Sequence, residues 1–155
     1  MIQIAYRVAA SSIAGAGQGI FLNQQVRAGQ VLVYPDAIPE TLSFAQILAR
    51  PDREVALAAT VRWFEERYTV SLDWPDECYI NHSFEPTGLW HLGFVFARRD
   101  LTLGTELTID YRHLLAPGQV EAFRDAESGQ EIVGFSWAES LSGSAQELAQ
   151  LSIKR

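Results

Sequence analysis

The apolar residues of this chain fall into short runs, and glycine, proline or a polar turn cuts each one before it lengthens. Such a pattern favours small strands joined by turns. Ile2, Ile4, Tyr6 and Val8 recur at period two with Gln3 and Arg7 between them, which predicts a half-buried strand over residues 2–8. A loop with glycines at 15, 17 and 19 follows. Val26 to Tyr34 reads as a strand entered through Ala28-Gly29 and broken by Pro35 and Pro39. Residues 69–72, 77–80, 91–97 and 106–109 read as further strands, separated by turns at Trp74-Pro75-Asp76 and Thr102-Leu103-Gly104.

The middle of the chain carries helical signals. Ser43 and Gln46 have the spacing of a capping box, opening a short helix with Phe44, Ile47 and Leu48 on one face. Pro51-Asp52 starts a second helix, expected to reach about Tyr68. Leu57, Val61, Phe64 and Tyr68 form its apolar stripe, and Glu54, Arg62, Glu65 and Glu66 fall on the outer side. The tail is polar from Glu121 to Gln130, and Ser144 and Glu147 suggest a capping box for a terminal helix carrying Leu148, Leu151 and Ile153. Strand-rich ends around a helical middle define a mainly β protein with a few helices, an α+β class. A length of 155 residues suits one domain.

Charge and cysteine content narrow the chemistry. The formal net charge is −7, against the basic surface that nucleic-acid binding requires, and it favours a basic partner. Cys78 is the single cysteine, so neither an internal disulfide nor a zinc site built on several cysteines is available. No apolar stretch approaches the roughly 20 residues of a membrane span, and no secretory leader pattern is present. A reducing, cytoplasmic setting is expected, without membrane or nucleic-acid partners.

Three segments bear groups suited to ligand chemistry. Gly15-Ala-Gly17-Gln18-Gly19 lacks the helix that a dinucleotide fingerprint opens. Glycines still let backbone approach a ligand closely, although a plain hairpin loop explains them equally. Asn81-His82-Ser83-Phe84-Glu85-Pro86 ends a strand, where such side chains also serve as turn caps. Gly104-Thr-Glu106-Leu-Thr-Ile-Asp110-Tyr111 presents a tyrosine at a strand end, a place often taken by a core-edge residue with a bonded hydroxyl. In this order and spacing, Gly17-Gln-Gly-Ile-Phe21, Asn81-His-Ser-Phe-Glu-Pro86 and Gly104 to Tyr111 resemble the motifs of SET-domain protein lysine methyltransferases. The resemblance covers about residues 2 to 112.

The resemblance implies a SET-type fold of small antiparallel sheets, in which the segment after the final motif threads, knot-like, through a loop near the Asn-His motif. Residues 1–112 would be the SET core, with a helical insert at about 43–68. It further implies S-adenosyl-L-methionine as cofactor, held by Gly17, Gln18, Gly19, Asn81 and His82, with Tyr111 as the catalytic residue. Tyr79, Trp90, Phe135 and Trp137 would line the substrate lysine channel. No metal is implied.

Lysine is unreactive as an ammonium, so an apolar channel and the positive sulfonium would favour the neutral amine. Many relatives close that channel with zinc held by cysteines. Here Phe84 takes one cysteine position and Thr87 stands where Asn is common. Residues 113–155 would then form a zinc-free lid with a terminal helix, using Phe123, Phe135 and Trp137, the last two sharing a strand face or lying in the core. Asp73, Asp76, Glu77 and Glu85 would line an entrance for a lysine in a basic protein segment, unless they form a plain solvated face. Two alternatives stand beside transfer: a non-catalytic SET-like binding module, and a metal enzyme drawing on His82, Glu85, His91, Asp110 and His113. Lys154 is the sole lysine.

Overall fold

The computed structural model describes residues 1–37 and 39–153, the Ile153 side chain aside; Lys154 lies outside them. The elements are β1 (Tyr6–Ala10), β2 (Gln18–Leu22), β3 (Val31–Val33), α1 (Phe44–Leu48), α2 (Arg53–Ala58), β4 (Thr60–Phe64), β5 (Arg67–Val70), β6 (Asn81–His82), β7 (Gly88–His91), β8 (Phe94–Ala97), β9 (Glu106–Ile109), β10 (Val120–Arg124), β11 (Glu131–Val133) and α3 (Trp137–Ile153). Short 3₁₀ turns at Asp76–Tyr79 and Tyr111–His113 flank the middle motifs. The result is the mainly β, α+β architecture of small sheets that the sequence implies.

Two sheets make the frame. One runs β1-β2-β9-β6 and the other β3-β8-β7. All pairings are antiparallel except β6 with β9, which run parallel with Asn81 opposite Thr108 and His82 opposite Ile109. That one parallel pairing places the middle motif beside the last. The core fills the space between the sheets with Ile20, Leu22 and Leu107 from the first and Leu32, Val95 and Ala97 from the second, joined by Ile80 and Ile109. A smaller cluster of Ile47, Ala56, Tyr68 and Ala116 anchors the insert.

Ser43 caps α1 as the sequence predicts, its hydroxyl accepting from the Gln46 N–H while the Gln46 side chain accepts from the Ser43 N–H. The second helix is a correction. It ends at Ala58, and residues 60–70 form the hairpin β4-β5 around Glu65, whose φ is 44°. Thr60, Val61, Trp63 and Phe64 are β-branched or aromatic and favour a pleated surface, which here outweighs the helical recurrence of apolar residues. Arg62, expected on the solvent side, is 1% exposed. Its guanidinium donates to the carbonyls of His113 and Phe135, and its own N–H donates to Leu114 O.

Four further differences concern strands and caps. Residues 77–80 form the 3₁₀ turn rather than a strand, and residues 91–97 are two strands folded at Leu92-Gly93. The polar tail forms the hairpin β10-β11. Ser144 lies inside α3, which begins at Trp137. Its hydroxyl donates to Ser140 O, and the true cap is Ser136, whose hydroxyl accepts from the Glu139 N–H. Among the described residues no helix is long and apolar enough to cross a membrane.

Candidate functional site

Segments distant in sequence meet where β2, β6 and β9 lie side by side. The carboxylate of Glu106 is buried at this junction and gathers four donors. Its Oε1 accepts from the Ser11 hydroxyl at 2.6 Å and from Asn81 Nδ2 at 3.1 Å. Its Oε2 accepts from the Ser12 N–H at 2.8 Å and from the Ser12 hydroxyl. Asn81 Nδ2 also donates to Gln18 O at 2.7 Å. Burial alone would raise the Glu106 pKa, but these hydrogen bonds hold it below the usual carboxylate value. The glycine loop is thereby tied to the Asn-His motif through one charged group.

The glycines divide by role. Gly17 has φ 75° and nothing within 4 Å of where a Cβ would stand, so the loop offers open backbone. Gly19 sits in β2 at ordinary φ, and a Cβ there would meet Glu106, with Cδ at 2.9 Å and Oε1 closer still. Its missing side chain makes room for the carboxylate. Thr87 is buried as a bracket on β9: its hydroxyl donates to Glu106 O at 3.0 Å and accepts from the Thr108 N–H at 2.9 Å.

His82 and Tyr111 form the second half of the site. The Tyr111 N–H donates to His82 Nδ1 at 3.1 Å, so the neutral ring carries its proton on Nε2. That nitrogen is buried without a hydrogen-bond partner, 3.6 Å from Oδ1 of the buried Asp125. Burial lowers the His82 pKa against the pull of Asp110 and Asp125. The Tyr111 hydroxyl donates to Ile80 O at 2.7 Å, and burial followed by the nearby Glu121 carboxylate pushes its pKa up. Tyr111 is therefore a fixed neutral phenol, suited to orienting a group and unsuited to act as a phenolate base.

A cavity of about 700 Å³ opens beside Tyr111, between the insert and the two sheets. Tyr111, Ile80, Trp90, Cys78 and Glu121 line it, as do Asp73, Asp76 and Glu77. Three of the four expected entrance carboxylates are present; Glu85 is not among the lining residues. Tyr79 packs against the main core instead of lining this cavity. Trp90 borders it and also borders a second cavity of about 230 Å³ under α3.

The tail is attached through an ion pair and a stack of rings around Arg112. Arg112 forms a two-pronged pair with Asp110, and its guanidinium lies 4.4 Å from the Phe84 ring centroid and 4.6 Å from that of Phe135. Phe84, in the place of the cysteine, thus helps to clamp the tail. Phe135 faces this stack and the smaller cavity, and Trp137 begins α3, so the two share no strand face and neither lines the Tyr111 cavity. Phe123 is the tail aromatic beside Tyr111, edge to face at 6.2 Å.

The imagined metal constellation does not assemble. His91 Nδ1 bonds the Ser144 hydroxyl and His113 Nδ1 that of Ser140, each at 2.9 Å. Among the described residues no group of three His, Cys, Asp or Glu is placed to hold an ion. Sequence reading missed Glu106, Glu121, Asp125 and Arg62 as site builders. Only Glu106 carried a signal, as the acidic residue within the final motif.

A family model described as SET domain matches residues 17–112. Comparison with curated proteins finds none that matches.

Proposed function

Because the chain belongs to the SET-domain family, we propose that it methylates a lysine side chain of a protein, with S-adenosyl-L-methionine as the methyl donor. The family suggests a lysine methyltransferase-type activity in general; the cofactor, the roles of single residues and the basic character of the target are the finer reading. One observation carries it: Tyr111, fixed through Ile80 O, stands between the Asn81-His82 motif and a cavity whose charged side chains, among the described residues, are all carboxylates.

The residues present fit the cofactor. Gly15 and Gly17 offer backbone at positive φ with open space beside it, and Asn81 spends its side-chain nitrogen on Gln18 and Glu106 while its side-chain oxygen has no hydrogen-bond partner among the described residues. Gly17, Gln18, Asn81 and His82 would hold the amino-acid and adenine parts, and Gly19 would act by admitting Glu106. When bound, the cofactor supplies a methyl group on a positively charged sulfur. Tyr111 would orient the incoming amine with its phenol oxygen, and Trp90 with Ile80 would exclude water around the lysine stem. Residues 113–155 would serve as the zinc-free lid, with Phe123 as the aromatic at the transfer point. Asp73, Asp76 and Glu77 would draw a basic target segment, an attraction that added salt weakens.

Calorimetry with S-adenosyl-L-methionine is the first test, followed by incubation with labelled cofactor and host lysate and location of the labelled residue by mass spectrometry. Binding and label on lysine are expected. No binding at millimolar cofactor, or label only on other residue types, overturns the reading.

A further inference from the structure

β10 is a largely exposed strand that turns one carboxylate toward the cavity. Along Val120–Arg124 the only residue that is not exposed is Glu121, while Val120 and Phe123 are about half exposed. Glu121 and Phe123, two apart, share the face toward Tyr111, whose ring Phe123 meets edge to face, so this face of the strand brings a carboxylate and an aromatic ring to the same tyrosine. The inward residue reaches the cavity that also holds Tyr111.

The charge inventory of that cavity is one-sided. Among the described residues no lysine or arginine side chain lines it, and the cation beside its carboxylates is the Met1 amino group. Of the other carboxylates, Asp36, Asp73 and Asp76 are exposed, Asp76 accepting from the Tyr6 hydroxyl at 2.6 Å, and Glu77 pairs with the Met1 amino group at 2.8 Å. Glu121 is half-buried, and among the described residues no cation forms an ion pair with it. The groups facing it are the Tyr111 phenol and the Cys78 thiol, both neutral, with Asp73, Asp76 and Glu77 on the cavity wall; burial raises its own pKa.

We propose that Glu121 is a catalytic residue that receives the ammonium of the target lysine in this cavity and takes its proton. The inference rests on the methyltransferase reading and adds to it the proton acceptor that reading lacks. One N–H bond of the ammonium breaks, its electron pair stays on nitrogen, and the proton passes to a Glu121 carboxylate oxygen. A cation and an anion become two neutral groups. In water this transfer is opposed by about six pKa units, the difference between an ordinary lysine and an ordinary glutamate. Burial works against both charged forms and narrows that gap. After transfer, Glu121 gives the proton to solvent through the cavity mouth, one proton per methyl added.

The test compares wild type with Glu121→Gln and Glu121→Asp on a basic lysine peptide between pH 6 and 10. For Glu121→Gln, kcat at pH 7 should fall about 100-fold or more. It should then climb tenfold per pH unit as free amine becomes available, while cofactor affinity by calorimetry and the thermal midpoint stay near wild type. Glu121→Asp should recover part of the loss. Independently of turnover, a ¹³C titration should show one carboxyl with a raised midpoint that is lost in Glu121→Gln. That carboxyl should shift when the lysine peptide is added and not when its norleucine analogue is. Equal loss at every pH, or a carboxyl indifferent to the lysine peptide, overturns the role of Glu121 while leaving the methyltransferase reading in place. Failure of wild type itself to turn over or bind cofactor overturns both.

Discussion

Adding one methyl group at Gly19 tests whether Glu106 is the junction of the site. Gly19→Ala puts a Cβ 2.9 Å from the Glu106 Cδ, 3.3 Å from Asn81 Nδ2, and nearer than either to Oε1. The backbone there is ordinary strand, so the whole cost is contact. The carboxylate must swing away, and its bonds to Ser11 and Asn81 lengthen together. Overpacking costs about 1–3 kcal/mol, and a lost hydrogen bond to a charged group about 1.5–3 kcal/mol. A total near 3 kcal/mol corresponds to a fall in Tm of roughly 6–12 °C for a chain of this size. The assay is thermal and urea unfolding of Gly19→Ala, Glu106→Ala and the double variant. In the Glu106→Ala background the added methyl should be nearly free, a coupling of about 3 kcal/mol. Gly17→Ala is the control: it meets no neighbour but forces alanine to φ 75°, and should cost about 1–2 kcal/mol in either background. A Gly19→Ala cost below about 0.5 kcal/mol, or one equal in both backgrounds, would refute the reasoning.

Two further outcomes follow from the buried groups. Burial lowers the pKa of His82, His91 and His113, so the unfolded chain binds protons that the folded chain resists. Their contribution is complete above the ordinary histidine value of about 6.5 and is lost as pH falls from there toward the lowered values. Urea midpoints should decline between pH 7 and 5.5, less so in a His91→Asn/His113→Asn variant, and a flat midpoint would contradict this. Tyr111→Phe leaves Ile80 O without its donor and should cost about 1 kcal/mol in stability. It should sharply depress methyl transfer with cofactor affinity nearly unchanged, and full activity would remove Tyr111 from the reaction.

What could be read from the sequence was what local pattern controls. The Ser43 cap and the strand at 106–109 follow from period and spacing alone, whereas the strand expected over 2–8 runs Tyr6–Ala10, and the three motifs marked the junction of β2, β6 and β9. The hairpin at 60–70 was hidden because Val61, Phe64 and Tyr68 satisfy a helical recurrence as well as a strand pattern. Arg62 and Glu121 were unreadable for another reason. Each is a charged residue turned inward, and what makes that tolerable lies elsewhere in the chain: carbonyls at 113 and 135 for one, a cavity shared with Tyr111 for the other. Phe135 was singled out as aromatic lining, yet its carbonyl is what Arg62 requires.

The buried guanidinium also decides where this protein can be cut. The family match stops at residue 112, which invites a truncation there. Both acceptors of Arg62 lie beyond that point, so a chain ending at 112 would strand a positive charge inside the fold with its carbonyl partners gone. The matched portion is therefore expected to lose stability when cut at 112, which urea unfolding of a 1–112 fragment beside the full chain would measure. A fragment carried through Phe135 keeps both carbonyls and should unfold at a higher urea concentration than one ending at 112.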